Sequence, residues 1–140
     1  MTNPLRRLGN FVRDLINRRK RRPVLTENKT AQGLEIGCSS GYYGEVLRRH
    51  FPRIKYTGVD YSRAFVEFGR AKFPGFDLRH GDTTAIQLCD REFDVVVSGS
   101  VLLHVFDWRQ GVRESCRVAD SALILHRTPV STAPTTLFTK

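Results

Sequence analysis

The chain has 140 residues, a hydrophobic fraction of 40% and nine Phe, and this apolar content predicts one packed domain and excludes an intrinsically disordered chain. The formal net charge is +9, but residues 1–22 alone carry +7, which leaves only +2 for the rest of the chain. A nucleic-acid-binding protein is therefore not expected, because its basic surface would lie on the folded body.

Cysteine spacing and the apolar runs indicate a cellular compartment. Cys38, Cys89 and Cys116 lie far apart and form no Cys-x-x-Cys pair, which predicts reduced thiols and no metal site. No apolar run approaches the ~20 residues of a membrane span. The Arg-rich N-terminal segment also lacks the apolar run of a secretory signal. We therefore predict a cytoplasmic protein without a bound metal.

The first predicted element is a basic amphipathic helix within residues 1–22. Asn3 followed by Pro4 is typical of a helix start, and apolar residues recur after it at helical spacing opposite a row of Arg. Three interpretations stay open for this helix: a solvated cap on the sheet, a peripheral contact with the inner, anionic surface of a membrane, and, least favoured, contact with nucleic acid. Residues 23–32 are interpreted as a linker.

From residue 33 onward, segments typical of strands and helices alternate. Strands joined by helices of about ten residues predict a parallel sheet with helices on both faces. We therefore predict a Rossmann-like, doubly wound α/β fold with about five strands in a mostly parallel sheet. The predicted strands are 33–37, 55–60, 76–80, 93–100 and 121–127, and the predicted helices are 42–50, one that Ser62 begins and Pro74 ends, and one that runs from a capping box of Asp107 and Gln110 to Cys116.

Polar and glycine-rich segments follow three of these strands. The stretch LEIGCSSGYYGEVL, at 34–47, places a glycine-rich turn between a strand and a helix. Such a turn is either merely tight or brings backbone N–H groups close to a ligand. Asp60 ends the next strand, where an acid can accept the ribose hydroxyls of a nucleotide. The sequence GDT at 81–83 follows the third strand and offers a carboxylate for an adenine amine.

The segments LEIGCSSGYYGEVL, YTGVDYS, GDTTAI and FDVVVSGSVLLHV resemble the successive motifs of class I S-adenosylmethionine-dependent methyltransferases, over roughly residues 33–128. The resemblance implies that S-adenosylmethionine is the cofactor. Ser39 departs from the family's usual glycine. By this resemblance the cofactor-binding residues are Glu35, Gly37, Cys38, Ser39 and Gly41 for the methionine part, Asp60 for the ribose, Tyr61, Asp82 and Thr83 for the adenine, and Ser98 after the fourth strand.

Two other functions compete with methyl transfer. The run from Ser39 to Gly44 matches the G-x-G-x-x-G motif of NAD-dependent oxidoreductases except at its first glycine, but Glu35 would repel a pyrophosphate. Family members usually continue past the fifth strand with an antiparallel pair of strands, which residues 33–140 lack. The domain is therefore expected to be C-terminally incomplete, and the chain could be a non-catalytic cofactor-binding or partner-binding remnant that associates through its uncovered fifth strand.

The acceptor side of the site is the least defined. We expect a small-molecule or saccharide-type acceptor. His104 and His126 follow the fourth and fifth strands and are weak candidates for a general base, although His104 is interpreted first as a core or cofactor-lining residue. Trp108 is expected to pack in its helix. Tyr42 and Tyr43 are expected in a lid or in the core.

Overall fold

A computed structural model describes residues 30–128. The predicted basic helix within residues 1–22, the linker up to residue 29 and residues 129–140 lie outside the described range. The elements in chain order are β1 (Ala31–Ile36), α1 (Tyr42–His50), β2 (Ile54–Asp60), α2 (Arg63–Lys72), β3 (Asp77–His80), β4 (Phe93–Gly99), a single 3-10 turn (Leu102–His104), α3 (Trp108–Val118) and β5 (Ala119–His126).

The five strands form one sheet in the order β3-β2-β1-β4-β5. Every pair of neighbours is parallel, so the sheet described by residues 30–128 contains no antiparallel strand. After β3 the chain crosses to the other side of the central strand β1, and such a reversal opens a crevice at the carboxyl ends of the strands. The predicted Rossmann-like α/β fold is confirmed.

Element boundaries differ from prediction where side chains or neighbouring strands extend an element. β1 begins two residues earlier than predicted, since the Ala31 N–H donates to the Arg53 carbonyl and the Gln32 N–H donates to the Asp94 carboxylate. Only half of the predicted capping box forms. The Asp107 carboxylate accepts from the Gln110 N–H at 3.1 Å, but the Gln110 side chain donates to the Thr84 carbonyl at 3.4 Å instead of returning to Asp107.

Two apolar cores lie on opposite faces of the sheet, because successive side chains of a strand point to opposite faces. Leu34 of β1 belongs to the first core, which Val118 of α3 completes. Tyr56 and Leu78, from β2 and β3, belong to the second core, which Val66 of α2 completes. Helices therefore cover both faces, and their packing fixes the loops at the carboxyl ends of the strands.

A carboxyl group is buried in the face that carries the second core. Glu35 is 5% exposed and lies on the same side of the sheet as Tyr56, whose hydroxyl donates to it at 2.5 Å. Burial raises the pKa of Glu35 to about 7; the hydrogen bond from Tyr56 opposes this rise and the charge of Asp60 adds to it. Burial and the charge of Glu35 raise the pKa of Tyr56, so Tyr56 remains the proton donor.

The close packing of α2 predicts a stability effect at Gly69. A Cβ added there would lie 2.6 Å from the Ser40 carbonyl oxygen and 2.6 Å from Leu78 Cδ1. We expect Gly69→Ala to lower the free energy of unfolding by about 1–3 kcal/mol, because a backbone carbonyl cannot move aside cheaply. Urea denaturation measures the change. Gly75→Ala is the control, because a Cβ at Gly75 meets nothing within 4 Å.

A free energy of unfolding that Gly69→Ala leaves unchanged or raises would contradict this prediction. Alanine is intrinsically better than glycine inside a helix by about 1 kcal/mol. A Gly69→Ala variant as stable as the wild-type protein, or more stable, would show that α2 does not press against the loop that contains Ser40.

The buried Glu35 predicts a pH dependence of stability. Its pKa of about 7 in the folded protein lies above the ordinary value of 4.5, so the folded state binds the proton more tightly. The contribution of protonated Glu35 to the free energy of unfolding is therefore complete below pH 4.5 and is lost as the pH rises through 7. We expect the stability of the wild-type protein relative to Glu35→Gln to fall by on the order of 1–3 kcal/mol between pH 5 and pH 8.

Urea denaturation across this pH range measures the difference, and Glu45→Gln is the control. The hydrogen bonds from Arg48 and Arg49 lower the pKa of Glu45, so its contribution does not change above pH 5. Parallel pH profiles for the wild-type protein and Glu35→Gln would contradict the assignment of a proton to Glu35 near neutral pH.

Candidate functional site

A cavity of about 810 Å³ opens at the carboxyl ends of the strands. Its walls come from the segments that follow β1, β2, β3 and β4. The volume falls within the range of about 300–1,000 Å³ typical of ligand pockets. The cavity therefore lies at the edge where the reversal of strand order predicts a ligand.

The glycine-rich loop after β1 forms one wall of the cavity. Gly37, Ser39 and Gly41 all have left-handed φ angles, of 75°, 51° and 81°. This conformation is unfavourable for a residue with a Cβ, which is the physical reason a glycine suits position 39 better than serine. A Cβ at Gly37 would also overlap the side chain of Val101, so the loop after β4 packs directly on this turn.

Four N–H groups of this loop donate to the protein itself, which favours the tight-turn alternative over a loop that presents free N–H groups to a ligand. Gly37 and Cys38 both donate to the Val59 carbonyl, at 2.7 and 3.1 Å, and Gly41 donates to the Cys38 carbonyl at 2.8 Å. The Ser39 N–H donates to Asp60 Oδ2 at 2.7 Å. The loop is therefore fixed by β2 and is not a cradle of free N–H groups for an anion.

Asp60, the last residue of β2, connects three segments around the cavity. One carboxylate oxygen accepts from the Ser39 N–H, and the other accepts from the Ser62 N–H at 2.8 Å, at the start of α2. Its backbone carbonyl accepts from the Gly81 N–H at 2.9 Å, in the segment after β3. A carboxylate has about four acceptor positions, so it can still accept hydroxyl groups from a ligand.

Asp82 and Thr83 form the wall that follows β3. Asp82 Oδ1 accepts from the Thr84 N–H at 2.7 Å and from the Thr84 hydroxyl at 2.8 Å. These bonds hold the pKa of Asp82 below its usual value and keep the carboxylate charged. The hydroxyl of Thr83 is buried and has no hydrogen-bond partner among residues 30–128. A Cβ at Gly111 would lie 3.5 Å from this oxygen, so the Thr83 hydroxyl lies close to α3.

The cavity walls carry negative charge. Asp60, Asp82 and Asp107 line the cavity, and no Lys or Arg of the described segment is among the lining residues. The lining also contains apolar side chains, including Val59, Phe65 and Phe106. A ligand of this cavity is therefore expected to be neutral or cationic, with hydroxyl or amine donors and an apolar part.

The structure brings together six of the ten predicted cofactor-binding residues. The residues that line the cavity are Gly37, Ser39, Asp60, Tyr61, Asp82 and Thr83. The other four, Glu35, Cys38, Gly41 and Ser98, lie outside its lining. Glu35 faces Tyr56 within the sheet.

Two of these residues, Cys38 and Ser98, are buried, and Gly41 packs against the second core. The Cys38 side chain belongs to the second core, and burial raises its pKa to about 12, with smaller effects from the charges of Asp60 and Glu35. A Cβ at Gly41 would lie 3.1 Å from Leu78 of that core. Ser98 is 1% exposed, and its hydroxyl has no partner within the described range.

The two candidate histidines lie in different surroundings. His104 is exposed and lines the cavity, so of its two interpretations, core or cofactor-lining, the core one is wrong. His126 lies outside the cavity lining; it closely approaches Gly99, and its ring meets the edge of Tyr43 at a centroid distance of 6.1 Å. The alternative that placed Tyr42 and Tyr43 in the core is also wrong, since both are exposed. Trp108 is half-buried at the start of α3, beneath the Arg109 guanidinium.

Sequence reasoning missed the wall that precedes α3. Val105, Phe106 and Asp107 line the cavity together with Tyr61 and Phe65. The available signal was an apolar run followed directly by a helix cap, at the carboxyl end of a strand that borders the reversal in strand order. Phe106 is fully exposed, so the spacing of apolar residues, which predicts buried positions, could not predict its place in the cavity wall.

Comparison with known proteins supports one family. A family model described as "Methyltransferase domain" matches residues 34–120. The chain is 39% identical over 85 residues to a Mycolicibacterium smegmatis protein named "Probable S-adenosylmethionine-dependent methyltransferase", covering 61% of this chain and 32% of that protein. It is 25% identical over 114 residues to the demethylmenaquinone methyltransferase of Thermotoga maritima, covering 81% of this chain and 50% of the relative.

Solved structures show the same fold. A SAM-dependent methyltransferase from Aquifex aeolicus superposes with a TM-score of 0.63 at 16% identity, covering 87% of this chain and 62% of that one. The chain spans only a quarter to a half of the length of the first four curated relatives it matches. Proteins of this family use S-adenosylmethionine as the methyl donor. The parallel five-stranded sheet and the family match over residues 34–120 show that the chain belongs to the class I S-adenosylmethionine-dependent methyltransferases.

Proposed function

We propose that the described domain binds S-adenosylmethionine in the cavity at the carboxyl ends of the strands, and that the whole protein transfers a methyl group to a small-molecule acceptor. The observation that carries this proposal is the charge of the cavity. Three carboxylates and no Lys or Arg of the described residues line it. S-adenosylmethionine carries a sulfonium and no phosphate, so this lining suits it.

The hydrogen bonds within the glycine-rich turn disfavour a dinucleotide. A pyrophosphate needs free N–H groups at the glycine-rich turn and at the helix that follows. Here the N–H groups of Gly37, Cys38, Ser39 and Gly41 already donate to Val59, Asp60 and Cys38. The negative charge of Asp60 beside this turn would further repel phosphate. The turn therefore supports a ligand that approaches the backbone without phosphate groups.

The residues present fit an adenosyl group. We propose that Asp60 accepts the ribose hydroxyls, that Asp82 and Thr83 bind the adenine, and that Tyr61 lies against its ring. Gly37 and Ser39 provide the narrow backbone wall for the methionine part, and Cys38 and Gly41 hold that wall against the second core.

The proposed contribution of this chain to methyl transfer is positioning. S-adenosylmethionine supplies an electrophilic methyl group when bound. The protein has to align the acceptor with that methyl group and exclude water, and alignment alone can supply much of a rate enhancement. His104 lines the cavity and is the proposed acceptor-side residue, where it can take a proton from an acceptor hydroxyl.

An acceptor with an apolar part is favoured over a saccharide. Phe65, Val105 and Phe106 line the cavity beside the polar groups, and a saccharide would leave these side chains poorly matched. Two of the relatives are named for quinone biosynthesis or for a demethylmenaquinone acceptor, which supports acceptors of this chemical kind.

Cytoplasmic location and association through β5 stay predictions. No helix within residues 30–128 is long and apolar enough to cross a membrane.

Asp60 provides the first test of the proposed site. We expect Asp60→Asn to weaken the binding of S-adenosylhomocysteine about tenfold to a hundredfold, because a hydrogen bond to a charged group contributes about 1–3 kcal/mol. Isothermal titration calorimetry measures this affinity. Asp77→Asn is the matched control: Asp77 begins β3, at the opposite end of that strand from the cavity, and pairs with Arg79.

Calorimetry also separates the competing cofactors. The wild-type protein is expected to bind S-adenosylhomocysteine and to give no heat with NAD. Equal affinities in Asp60→Asn and Asp77→Asn would remove Asp60 from the site, and tight binding of NAD alone would overturn the proposed function.

The two histidines are distinguished by NMR. Because His104 lines the cavity and His126 does not, S-adenosylhomocysteine is expected to shift the imidazole signals of His104 and to leave those of His126 unchanged. His50, at the end of α1, serves as an internal reference. Asparagine variants at positions 104 and 126 assign the signals. A shift at His126 without one at His104 would place the reacting end of the cofactor elsewhere.

A further inference from the structure

A long connection carries the wall that is proposed to bind the adenine. Residues 81–92 join β3 to β4, and this described stretch contains no helix or strand. Asp82 and Thr83 lie at its start and line the cavity. Ile86 and Leu88 pack into the first core and anchor the connection by apolar contact. Its backbone groups also need hydrogen-bond partners, because a buried N–H or carbonyl without a partner is costly.

Polar side chains of α3 supply such partners. Gln110, Glu114 and Arg117 are spaced by four and three residues, so they lie on the same face of the helix. The Gln110 side chain donates to the Thr84 carbonyl at 3.4 Å, and the Glu114 carboxylate accepts from the Ile86 N–H at 3.0 Å. The connection after β3 is therefore held against one face of α3 by hydrogen bonds as well as by apolar contacts.

Arg117 holds the middle of the connection. Its guanidinium donates to the Ile86 carbonyl at 2.7 Å and to the Leu88 carbonyl at 2.8 Å. The same guanidinium pairs with Glu114 and with Asp90, both at 2.8 Å. A planar guanidinium presents several donors in a fixed arrangement, which an ammonium group does not. The Arg117 side chain is 28% exposed, so water screens these bonds less than those of a surface ion pair.

The charges of this pair are stable at neutral pH. The hydrogen bond from Arg117 lowers the pKa of Glu114, and the hydrogen bonds to Glu114 and Asp90 raise the pKa of Arg117. Glu114 and Arg117 therefore both stay ionised, and the bonds to the connection do not depend on a titration near neutrality.

α3 also connects this anchor to the cavity wall. Asp107, which caps the helix, lines the cavity, and Gly111 one turn later packs against Thr83. Thr84, whose carbonyl α3 holds, donates both its N–H and its hydroxyl to the Asp82 carboxylate. A series of hydrogen bonds therefore runs from α3 through Thr84 to Asp82. Binding groups held by such a supporting layer keep their geometry more closely than groups on an unsupported loop.

We propose that the Glu114–Arg117 pair positions the adenine-binding wall, and that the preference of the protein for adenine over other purine bases depends on this pair. Neither side chain is among the residues that line the cavity, so both act through the connection and through Asp82. Loss of the Arg117 guanidinium removes two carbonyl bonds of the connection, which allows the wall to shift relative to the bound base. The inference rests on the proposed function, since it requires that Asp82 and Thr83 contact the adenine.

Two ligands that differ at one purine position make this positioning measurable. S-adenosylhomocysteine has an amine where S-inosylhomocysteine has a carbonyl oxygen. The Asp82 carboxylate can accept from the amine, whereas it has no hydrogen to share with the carbonyl oxygen. Isothermal titration calorimetry of the full chain measures both affinities, and their ratio is the preference for adenine. Unfolding weakens both apparent affinities by the same factor, so the ratio does not report stability.

We expect the wild-type protein to bind S-adenosylhomocysteine about a hundredfold more tightly than S-inosylhomocysteine. Arg117→Met is expected to lower this ratio about tenfold, because the connection no longer holds Asp82 at the amine. Arg117→Lys is expected to give an intermediate ratio, since an ammonium group keeps the charge beside Glu114 but cannot bind both carbonyls at once. This milder variant provides the test if Arg117→Met does not fold.

Arg48→Met is the matched control. Arg48 lies in α1, pairs with Glu45 three residues earlier at 2.8 Å, and is not among the residues that line the cavity. Arg117 pairs with Glu114 at the same spacing and distance. Arg48→Met is therefore expected to keep the wild-type ratio.

A double variant shows whether Arg117 acts through Asp82. Asp82→Asn alone is expected to abolish the preference for adenine, because an Asn side chain can accept from an amine or donate to a carbonyl oxygen. Arg117→Met/Asp82→Asn is then expected to have the same ratio as Asp82→Asn, since the effects of residues that act through each other are not additive.

Equal ratios in the wild-type protein and in both Arg117 variants would overturn the inference, and so would an equal loss in Arg48→Met. A wild-type protein without a preference for adenine, or a further loss in the double variant beyond that of Asp82→Asn, would also contradict it. Absence of S-adenosylhomocysteine binding by the wild-type protein would overturn the proposed function as well. Tight binding with an unchanged ratio in the Arg117 variants would overturn the positioning role alone.

Discussion

The carboxylate of Asp60 is the interaction on which the site depends. Its two oxygens accept from the N–H groups of Ser39 and Ser62, and its backbone carbonyl accepts from Gly81. One residue at the end of β2 therefore fixes the glycine-rich loop after β1, the start of α2 and the segment after β3. These three segments contribute to the cavity wall, so the shape of that part of the wall follows from hydrogen bonds that exist without a ligand. A preformed wall of this kind lowers the ordering cost of binding.

The same arrangement determines what the cavity can bind. The Ser39 N–H donates to Asp60, and the Gly37 and Cys38 N–H groups donate to Val59. These three N–H groups are therefore not available to bind phosphate. The remaining acceptor capacity of Asp60 and Asp82 then favours hydroxyl and amine donors. Glu35 is buried, accepts a hydrogen bond from Tyr56 and carries a charge that depends on pH near neutrality. The cavity thus combines charged and polar groups with the apolar side chains of Phe65, Val105 and Phe106.

Alternation of strand and helix signals predicted the sheet, because continuous apolar runs and the caps Ser62 and Asp107 have local physical causes. The placement of Asp60 and Asp82 in one cavity was also predictable, since parallel strands bring their carboxyl ends to one edge. The destinations of the loop N–H groups were not predictable, because they depend on β2 folding against the turn. The exposure of Tyr42, His104 and Phe106 depends likewise on which neighbours reach them in three dimensions. Their apolar surroundings in the sequence carried no such information.

Hydrogen exchange of the backbone amides tests the central claim most directly. If Asp60 links the cavity wall to the cofactor, S-adenosylhomocysteine will slow exchange at Ser39, Ser62 and Gly81 together, because all three N–H groups donate to that one residue. NAD will leave the same amides unchanged. Unaltered exchange at all three with saturating S-adenosylhomocysteine, or equal slowing with NAD, would contradict the account.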